Sequence, residues 1–82
     1  MRATVLVRPK DGILDPQGEA VGHSLRNLGF DVNAVRVGRV VDLEVEADGA
    51  EDATAQIQRM CAELLANPLI ESFEIRLDEE TA

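Results

Sequence analysis

Few side chains in this sequence could carry out catalysis or bind a transition metal. His23 is the only histidine and Cys61 the only cysteine among the 82 residues. A general base needs an oriented nucleophile within reach, and the sequence around His23 offers none, so we interpret it as a solvated helix residue. Cys61 lies in the apolar stripe of the second predicted helix, which also contains Ile57 and Leu64, and a free cysteine there usually packs as a small hydrophobic residue. Because metal sites need clusters of such ligands, we expect no catalytic residue, metal or cofactor on this chain.

Four carboxylates alternate with apolar residues along two predicted strands, at Asp42, Glu44, Glu46 and Glu74. Alternate residues of a strand share a face, so this pattern could suggest a site for a hard cation. The glycine-containing loop that accompanies many calcium sites does not occur in these segments. We therefore interpret the carboxylates as the exposed or interface-facing surface of a sheet that is covered on its other side.

Half of the eight basic residues fall in strand ends and loops that the predicted topology places at one edge of the domain. These residues are Arg8, Lys10, Arg36 and Arg39. The positive end of the first predicted helix points to the same edge, which would favour a phosphate or an acidic protein surface. Arginines also occur singly at turns without any ligand, and the sequence leaves both interpretations open.

The composition excludes several classes of protein. The chain has 16 acidic and 8 basic residues, a formal net charge of −8, and neither Trp nor Tyr. The acidic excess argues against nucleic-acid binding, which depends on Lys and Arg to neutralise phosphates, and two Phe give no aromatic platform for stacking bases. One cysteine cannot form an intrachain disulfide, and the sequence contains neither a membrane-spanning apolar run nor a signal-peptide pattern. With 45% hydrophobic residues, we expect one small folded domain in the cytoplasm.

The hydrophobic patterns predict six elements in the order βαββαβ. Predicted strands alternate apolar and polar residues, whereas predicted helices repeat apolar residues every three or four positions. Asp15 followed by Pro16 is typical of a helix start, and Gly38 fits the tip of a hairpin. The strands are predicted at residues 3–9, 33–37, 40–47 and 73–78, and the helices lie between Asp15 and Gly29 and between Asp48 and Asn67.

This order predicts an α+β fold of the ferredoxin-like type, with a four-stranded antiparallel sheet and two helices on one face. Right-handed crossovers would make the first two strands parallel. A single domain would cover residues 1–78, followed by an acidic tail at 79–82. The topology also brings the loop at 9–15, the hairpin tip at Gly38 and the turn at Asn67 and Pro68 to one edge of the domain.

Two glycines lie inside the first predicted helix, where each costs about 1 kcal/mol relative to alanine. Gly18 and Gly22 would allow another backbone to approach closely, either from this chain or from a second chain. The core is small, and apolar residues such as Leu6 lie on the far face of the sheet. These features predict self-association.

Three segments resemble the PurS subunits of bacterial and archaeal phosphoribosylformylglycinamidine (FGAM) synthase. The most specific is KDGILDPQG at residues 10–18, which leads into the first helix. The segments VRVGR at residues 35–39 and LLANP at residues 64–68 are similar as well. The resemblance covers nearly the whole chain apart from the tail.

The resemblance implies a role in a glutamine-dependent ligase of de novo purine biosynthesis. That complex converts formylglycinamide ribonucleotide, glutamine and ATP into formylglycinamidine ribonucleotide. A synthetase (PurL-type) subunit uses ATP and Mg, and a glutaminase (PurQ-type) subunit releases ammonia. The small subunit is expected to be a homodimer or dimer of dimers that brings the two together, supports ammonia transfer and has no active site of its own.

The resemblance also implies which residues face the partner subunits. We expect the cations to meet an acidic surface, the glycines to allow close approach, and Asp15 and Pro16 to fix the geometry of the loop and helix. The predicted partner-binding residues are Lys10, Gly12, Leu14, Asp15, Pro16, Gly18, Arg36, Gly38 and Arg39.

Two other functions use the same predicted topology. An ACT-like regulatory domain would bind a small molecule at a dimer interface, and the sequence keeps this alternative open. A small hydrolase of the acylphosphatase type needs an arginine in a phosphate-binding loop after the first strand, and a positioning asparagine. Residues 9–15 contain no arginine, which disfavours the hydrolase.

Overall fold

A computed structural model of the chain describes residues 1–78, and the predicted acidic tail at 79–82 lies outside the described residues. An α+β class is confirmed, since two helices and a π-helical turn accompany an antiparallel sheet. Within residues 1–78, no helix has the length and apolar character needed to cross a membrane. The elements are Arg2–Pro9 (β1), Pro16–Asn27 (α1), Arg39–Glu44 (β2), Ala50–Met60 (α2), Cys61–Leu65 (the π-helical turn) and Glu71–Asp78 (β3).

Strand β1 lies at the centre of the sheet and is antiparallel to both of its neighbours. The strand order is β2-β1-β3. Val5 of β1 lies opposite Val41 of β2 and Ile75 of β3. Alternate residues of a strand point to the same face of a sheet. In β1, Ala3, Val5 and Val7 point to the face that α2 covers. The most deeply buried apolar residues are Ala3, Val5 and Val7 of β1, Ala53 and Ile57 of α2, and Cys61 of the π-helical turn.

The π-helical turn changes which leucine reaches the core. The sequence pattern places Leu64 in the apolar stripe of the second helix, but its side chain is 83% exposed and this assignment is wrong. The N–H of Ala66 donates to the carbonyl oxygen of Cys61 at 3.0 Å, a bond across five residues. Because a π-helical turn contains more residues than an α-helical turn, Leu65 instead of Leu64 packs against the core.

The predicted four-stranded sheet is not confirmed, because residues 1–78 form three strands. Residues 33–37 belong to no strand, so the predicted parallel pairing of the first two strands is not observed. Gly38 lacks the positive φ that a tight hairpin turn requires. A Cβ atom at Gly38 would instead collide with the carbonyl oxygen of Val7. The glycine therefore allows the chain to pass close to β1 as it enters β2, and the predicted hairpin does not form.

Helix α1 packs beside residues 33–37 and contributes nothing to the core cluster of the described chain. Its buried residues are Gly18 and Gly22. A Cβ atom at Gly18 would collide with the carbonyl oxygen of Val35, and one at Gly22 would lie 3.3 Å from Val35 Cγ2. Close packing within the same chain thus explains both glycines. Val21 and Leu28 remain exposed, and the prediction that both helices cover one face of the sheet is not confirmed.

We predict that Gly38→Ala destabilises the fold. The new methyl group would have to displace the backbone at Val7, and overpacking of this kind costs about 1–3 kcal/mol. Urea unfolding at one fixed protein concentration measures the change. Gly49→Ala is the comparison variant: apart from its chain neighbours, no atom lies within 4 Å of its Cβ position, so its loss of stability reports only the poorer helix cap and backbone effect of alanine. Gly38→Ala should lose more than this. A Gly38→Ala variant as stable as the wild type would contradict the close approach.

Candidate partner-binding site at the loop end of the sheet

Three connecting segments gather at one end of the sheet, which we call the loop end and define as residues 10–15, 34–38 and 66–70. Strand β1 ends there at Pro9, while β2 begins at Arg39 and β3 begins at Glu71. The segments share this end because β1 runs antiparallel to both neighbours. The prediction that the loop after β1, Gly38 and the turn at Asn67 and Pro68 lie together is therefore confirmed.

Asp15 joins the start of α1 to the segment that precedes β2. Its Oδ1 accepts a hydrogen bond from the Gly18 N–H at 3.0 Å, and its Oδ2 accepts one from the Val37 N–H at 2.8 Å. The bond from Val37, and then that from Gly18, lower the pKa of the Asp15 carboxyl. Pro16 occupies the first position of the helix, where its missing N–H costs nothing.

Arg39 links β2, the π-helical turn and β3. Its Nη1 and Nη2 donate to the two carboxylate oxygens of Glu71 at 2.7 and 3.0 Å. Nη2 also donates to the carbonyl oxygen of Leu65, one of the carbonyl groups left free at a helix end. The guanidinium of Arg39, and then a bond from the Asn67 N–H, lower the pKa of the Glu71 carboxyl. The same carboxylate raises the pKa of Arg39.

Lys10 and Arg36 also make contacts within the chain. The Lys10 Nζ donates to the carbonyl oxygen of Pro68 at 2.7 Å, and its backbone N–H donates to the carbonyl oxygen of Ile70 at 2.8 Å. Arg36 forms an ion pair with Asp11 at 3.1 Å. Both members of that pair are exposed, so the pair adds little stability and leaves Arg36 available to a partner.

The remaining predicted partner-binding residues, in the loop end or close to it, differ in how exposed they are. Gly12 has a φ of +82° and lies in the turn in which the Ile13 N–H donates to the carbonyl oxygen of Lys10. This conformation favours glycine. The side chain of Leu14 is exposed, whereas Gly18 and Gly38 lie against backbone of their own chain. The predicted residues thus lie together, but several hold the loops in place instead of facing outwards.

Sequence reasoning missed the acidic partners of the cations. Glu71 and Arg39 are 32 positions apart, and Asp11 and Arg36 are 25 apart, so no local spacing pairs them.

Exposed His23 and buried Cys61 lie as predicted, and burial raises the pKa of the Cys61 thiol. Within residues 1–78, no group of three or more His, Cys, Asp or Glu side chains could hold a metal ion.

Comparison with protein families agrees with the resemblance of the three sequence segments. A family model described as PurS, phosphoribosylformylglycinamidine (FGAM) synthase, matches residues 2–79. The chain belongs to the PurS family. The PurS subunit of Methanocaldococcus jannaschii is 34% identical over 95% of each chain. That of Bacillus subtilis is 35% identical over 99% of this chain and 96% of its own length.

Solved PurS structures have the same fold. The crystal structure of Methanocaldococcus jannaschii PurS, described as one of the subunits of formylglycinamide ribonucleotide amidotransferase, has a TM-score of 0.85 over 96% of each chain. Bacillus subtilis PurS also has a TM-score of 0.85, over 95% of this chain and 98% of its own. A PurS-like chain in the structure of PurLQS from Thermotoga maritima is 36% identical, with a TM-score of 0.84 over 92% of this chain and 93% of its own.

We predict that the ionised Asp15 carboxylate stabilises the fold of this PurS-family chain at neutral pH and that this stabilisation is lost in acid. Its pKa is lowered in the folded state, so the contribution is fully present above the ordinary pKa of about 3.9 and is lost as the pH falls through the folded-state value. Asp15→Asn keeps one oxygen acceptor for the two N–H donors. The variant should be less stable than the wild type at neutral pH, and the difference should shrink below about pH 4.

Urea unfolding at a series of pH values measures this difference. Asp31→Asn is the matched control, because it removes one negative charge from an exposed position outside the loop end. If the two variants show the same dependence of stability on pH, the proposed contribution of the Asp15 hydrogen bonds is wrong.

Proposed function

We propose that this chain is the small, non-catalytic subunit of an FGAM synthase complex, where it bridges a synthetase (PurL-type) and a glutaminase (PurQ-type) subunit. The match of the PurS family model to residues 2–79 carries this proposal. A PurS-like chain in the Thermotoga maritima PurLQS structure supports partners of these two kinds. ATP and Mg would act at the synthetase, ammonia transfer would be supported by this chain, and the complex would work in the cytoplasm.

The loop end is the surface we propose for partner binding. It brings together the predicted residues at the ends of three strands, and hydrogen bonds between its segments limit their freedom. A surface that is ordered before binding loses less conformational entropy when a partner docks. The ACT-like alternative gains no comparable support, since it would need a small-molecule site between two copies and the family match favours a ligase subunit.

Self-association as a homodimer or dimer of dimers is also part of the proposal. Two exposed apolar side chains support it, Val21 on α1 and Leu28 directly after the helix. Strand β2 pairs only with β1 among the described residues. Strand β3 is likewise an edge strand that pairs with β1. We infer that a strand from a second copy completes a four-stranded, ferredoxin-like sheet at one of these two edges, since an unpaired strand edge readily accepts another strand.

The proposed function predicts which activity depends on this chain. When synthetase and glutaminase from the same source are mixed, glutamine-dependent FGAM formation should require the chain. Formation supported by added ammonium salt should persist without it, because the synthetase then needs no ammonia from the glutaminase. Product formation from both nitrogen donors, with and without the chain, measures the difference. Glutamine-dependent activity that is equal with and without the chain would contradict the proposal.

Reversing the charge of Arg36 should weaken binding to the partner subunits. We expect Arg36→Glu to raise the dissociation constant about tenfold, because a carboxylate would then face the acidic surface expected of the partner. Arg59→Glu is the matched control, since it makes the same charge change on an exposed position of α2. Arg39 is not suited to this test, because it holds Glu71 and Leu65 in place. Equal binding of the Arg36 and Arg59 variants would remove Arg36 from the proposed surface.

A further inference from the structure

The outer edge of β3 is a long strand edge that no other strand of residues 1–78 covers. All eight residues of β3 pair with β1 in one unbroken register. Lys10 lies opposite Ile70 when this register is extended by one pair, and its backbone N–H donates to the Ile70 carbonyl oxygen. Because bonded and non-bonded pairs alternate along an antiparallel ladder, the backbone N–H and C=O groups of Phe73, Ile75 and Leu77 point to the outer edge. Such an edge can accept a further strand.

The side chains of β3 divide into an apolar face and a charged face. Phe73, Ile75 and Leu77 lie on the face that α2 covers, because they are opposite the buried residues of β1. Phe73 is nevertheless 40% exposed. Glu74 and Arg76 lie on the other face, where the Arg76 Nε donates to the Glu74 carboxylate at 2.8 Å and both side chains are exposed. The charged face therefore carries one anion and one cation at neighbouring positions.

This pattern is complementary to itself about a twofold axis through Ile75. If β3 pairs antiparallel with β3 of a second copy in that register, Glu74 of each copy lies opposite Arg76 of the other. On the apolar face, each exposed Phe73 then lies opposite Leu77. Opposite charges and apolar side chains in directly facing positions both stabilise paired strands. An axis at Glu74 or at Arg76 would instead place identical charges opposite each other, so the charges select the register centred on Ile75.

The other edge of the sheet, at β2, is not complementary to itself. Asp42 and Glu44 share one face of β2, and Arg39 lies on the other face because an odd number of positions separates it from each of them. Residues that face each other across two antiparallel copies of one strand share a face. No register of β2 with itself can therefore place Arg39 opposite either carboxylate, and an axis at Asp42 would bring carboxylates together. Charge thus favours β3 for contact with a second copy.

We propose that two copies of this chain pair through β3, in the register centred on Ile75, and form one continuous six-stranded sheet. The inference rests on the self-association in the proposed function and assigns its edge, its register and its contact chemistry. Glu74 and Arg76 of both copies form a cluster of alternating charge across the twofold axis. Each three-stranded sheet gains its fourth strand from the other copy, and the two β2 strands lie at the outer edges of the pair.

Charge reversal at these two positions tests the inference. Arg76→Glu makes both facing pairs acidic, and Glu74→Arg makes both basic. Each variant should raise the dissociation constant of self-association, measured by sedimentation equilibrium, about tenfold or more. An equimolar mixture of the two variants should associate again, because every facing pair then joins opposite charges. Both side chains are exposed, so the fold should persist, which circular dichroism verifies. Arg59→Glu is the control, since it reverses one exposed charge on α2.

The mixture separates the contact between copies from effects within one chain, because both variants lack the ion pair between residues 74 and 76 of the same chain. If the single variants associate as tightly as the control, or if the mixture associates no better than either variant alone, the inference is overturned. Assemblies that keep growing with concentration would indicate head-to-tail pairing of β2 with β3 and would also overturn it. A wild-type chain that stays monomeric would overturn the proposed self-association itself, which is a different result from failure of the register.

Discussion

The path of the chain between α1 and β2 is fixed by contacts to its own backbone, and the rest of the architecture depends on that path. Asp15 accepts a hydrogen bond from the Val37 N–H, and Gly38 lies directly against the carbonyl oxygen of Val7. A segment held this closely does not turn back as a hairpin, so no fourth strand forms within the described chain. Because α1 is packed on the same segment, the helix lies beside it and does not cover the sheet. One local constraint thus explains both the three-stranded sheet and the exposed side of α1.

The charged contacts at the loop end form because β1 ends there and both β2 and β3 begin there. Arg39 forms a bidentate contact with the partly buried carboxylate of Glu71, and a bidentate pair is stronger than a single exposed contact. The Lys10 ammonium donates to the carbonyl oxygen of Pro68. In a chain with a net charge of −8, two of the few cations thus hold the connecting segments at this end of the sheet together.

The sequence was sufficient to predict what depends on local patterns. A β-branched apolar run predicted β1, and alternation predicted β2 and β3. The Asp15 and Pro16 pair predicted the start of α1, and the order of the elements predicted which loops meet. A glycine such as Gly38 can serve a turn or a close contact, and only the neighbouring backbone distinguishes the two. Leu64 was misassigned because the π-helical turn shifts the helical periodicity by one residue. The pairing of Arg39 with a distant glutamate likewise depends on the tertiary fold.

If this chain binds both a second copy of itself and the catalytic subunits, as proposed, the two contacts need separate surfaces. If one apolar patch served both self-association and partner binding, the copies would compete with the catalytic subunits for it. Here α1 carries Val21 and Leu28 away from the sheet, whereas the π-helical turn and the neighbouring loop place Leu64 and Leu69 at the loop end. The departure of α1 from the sheet and the π-helical turn, which both escape prediction from sequence, thus decide which of these apolar side chains stay exposed.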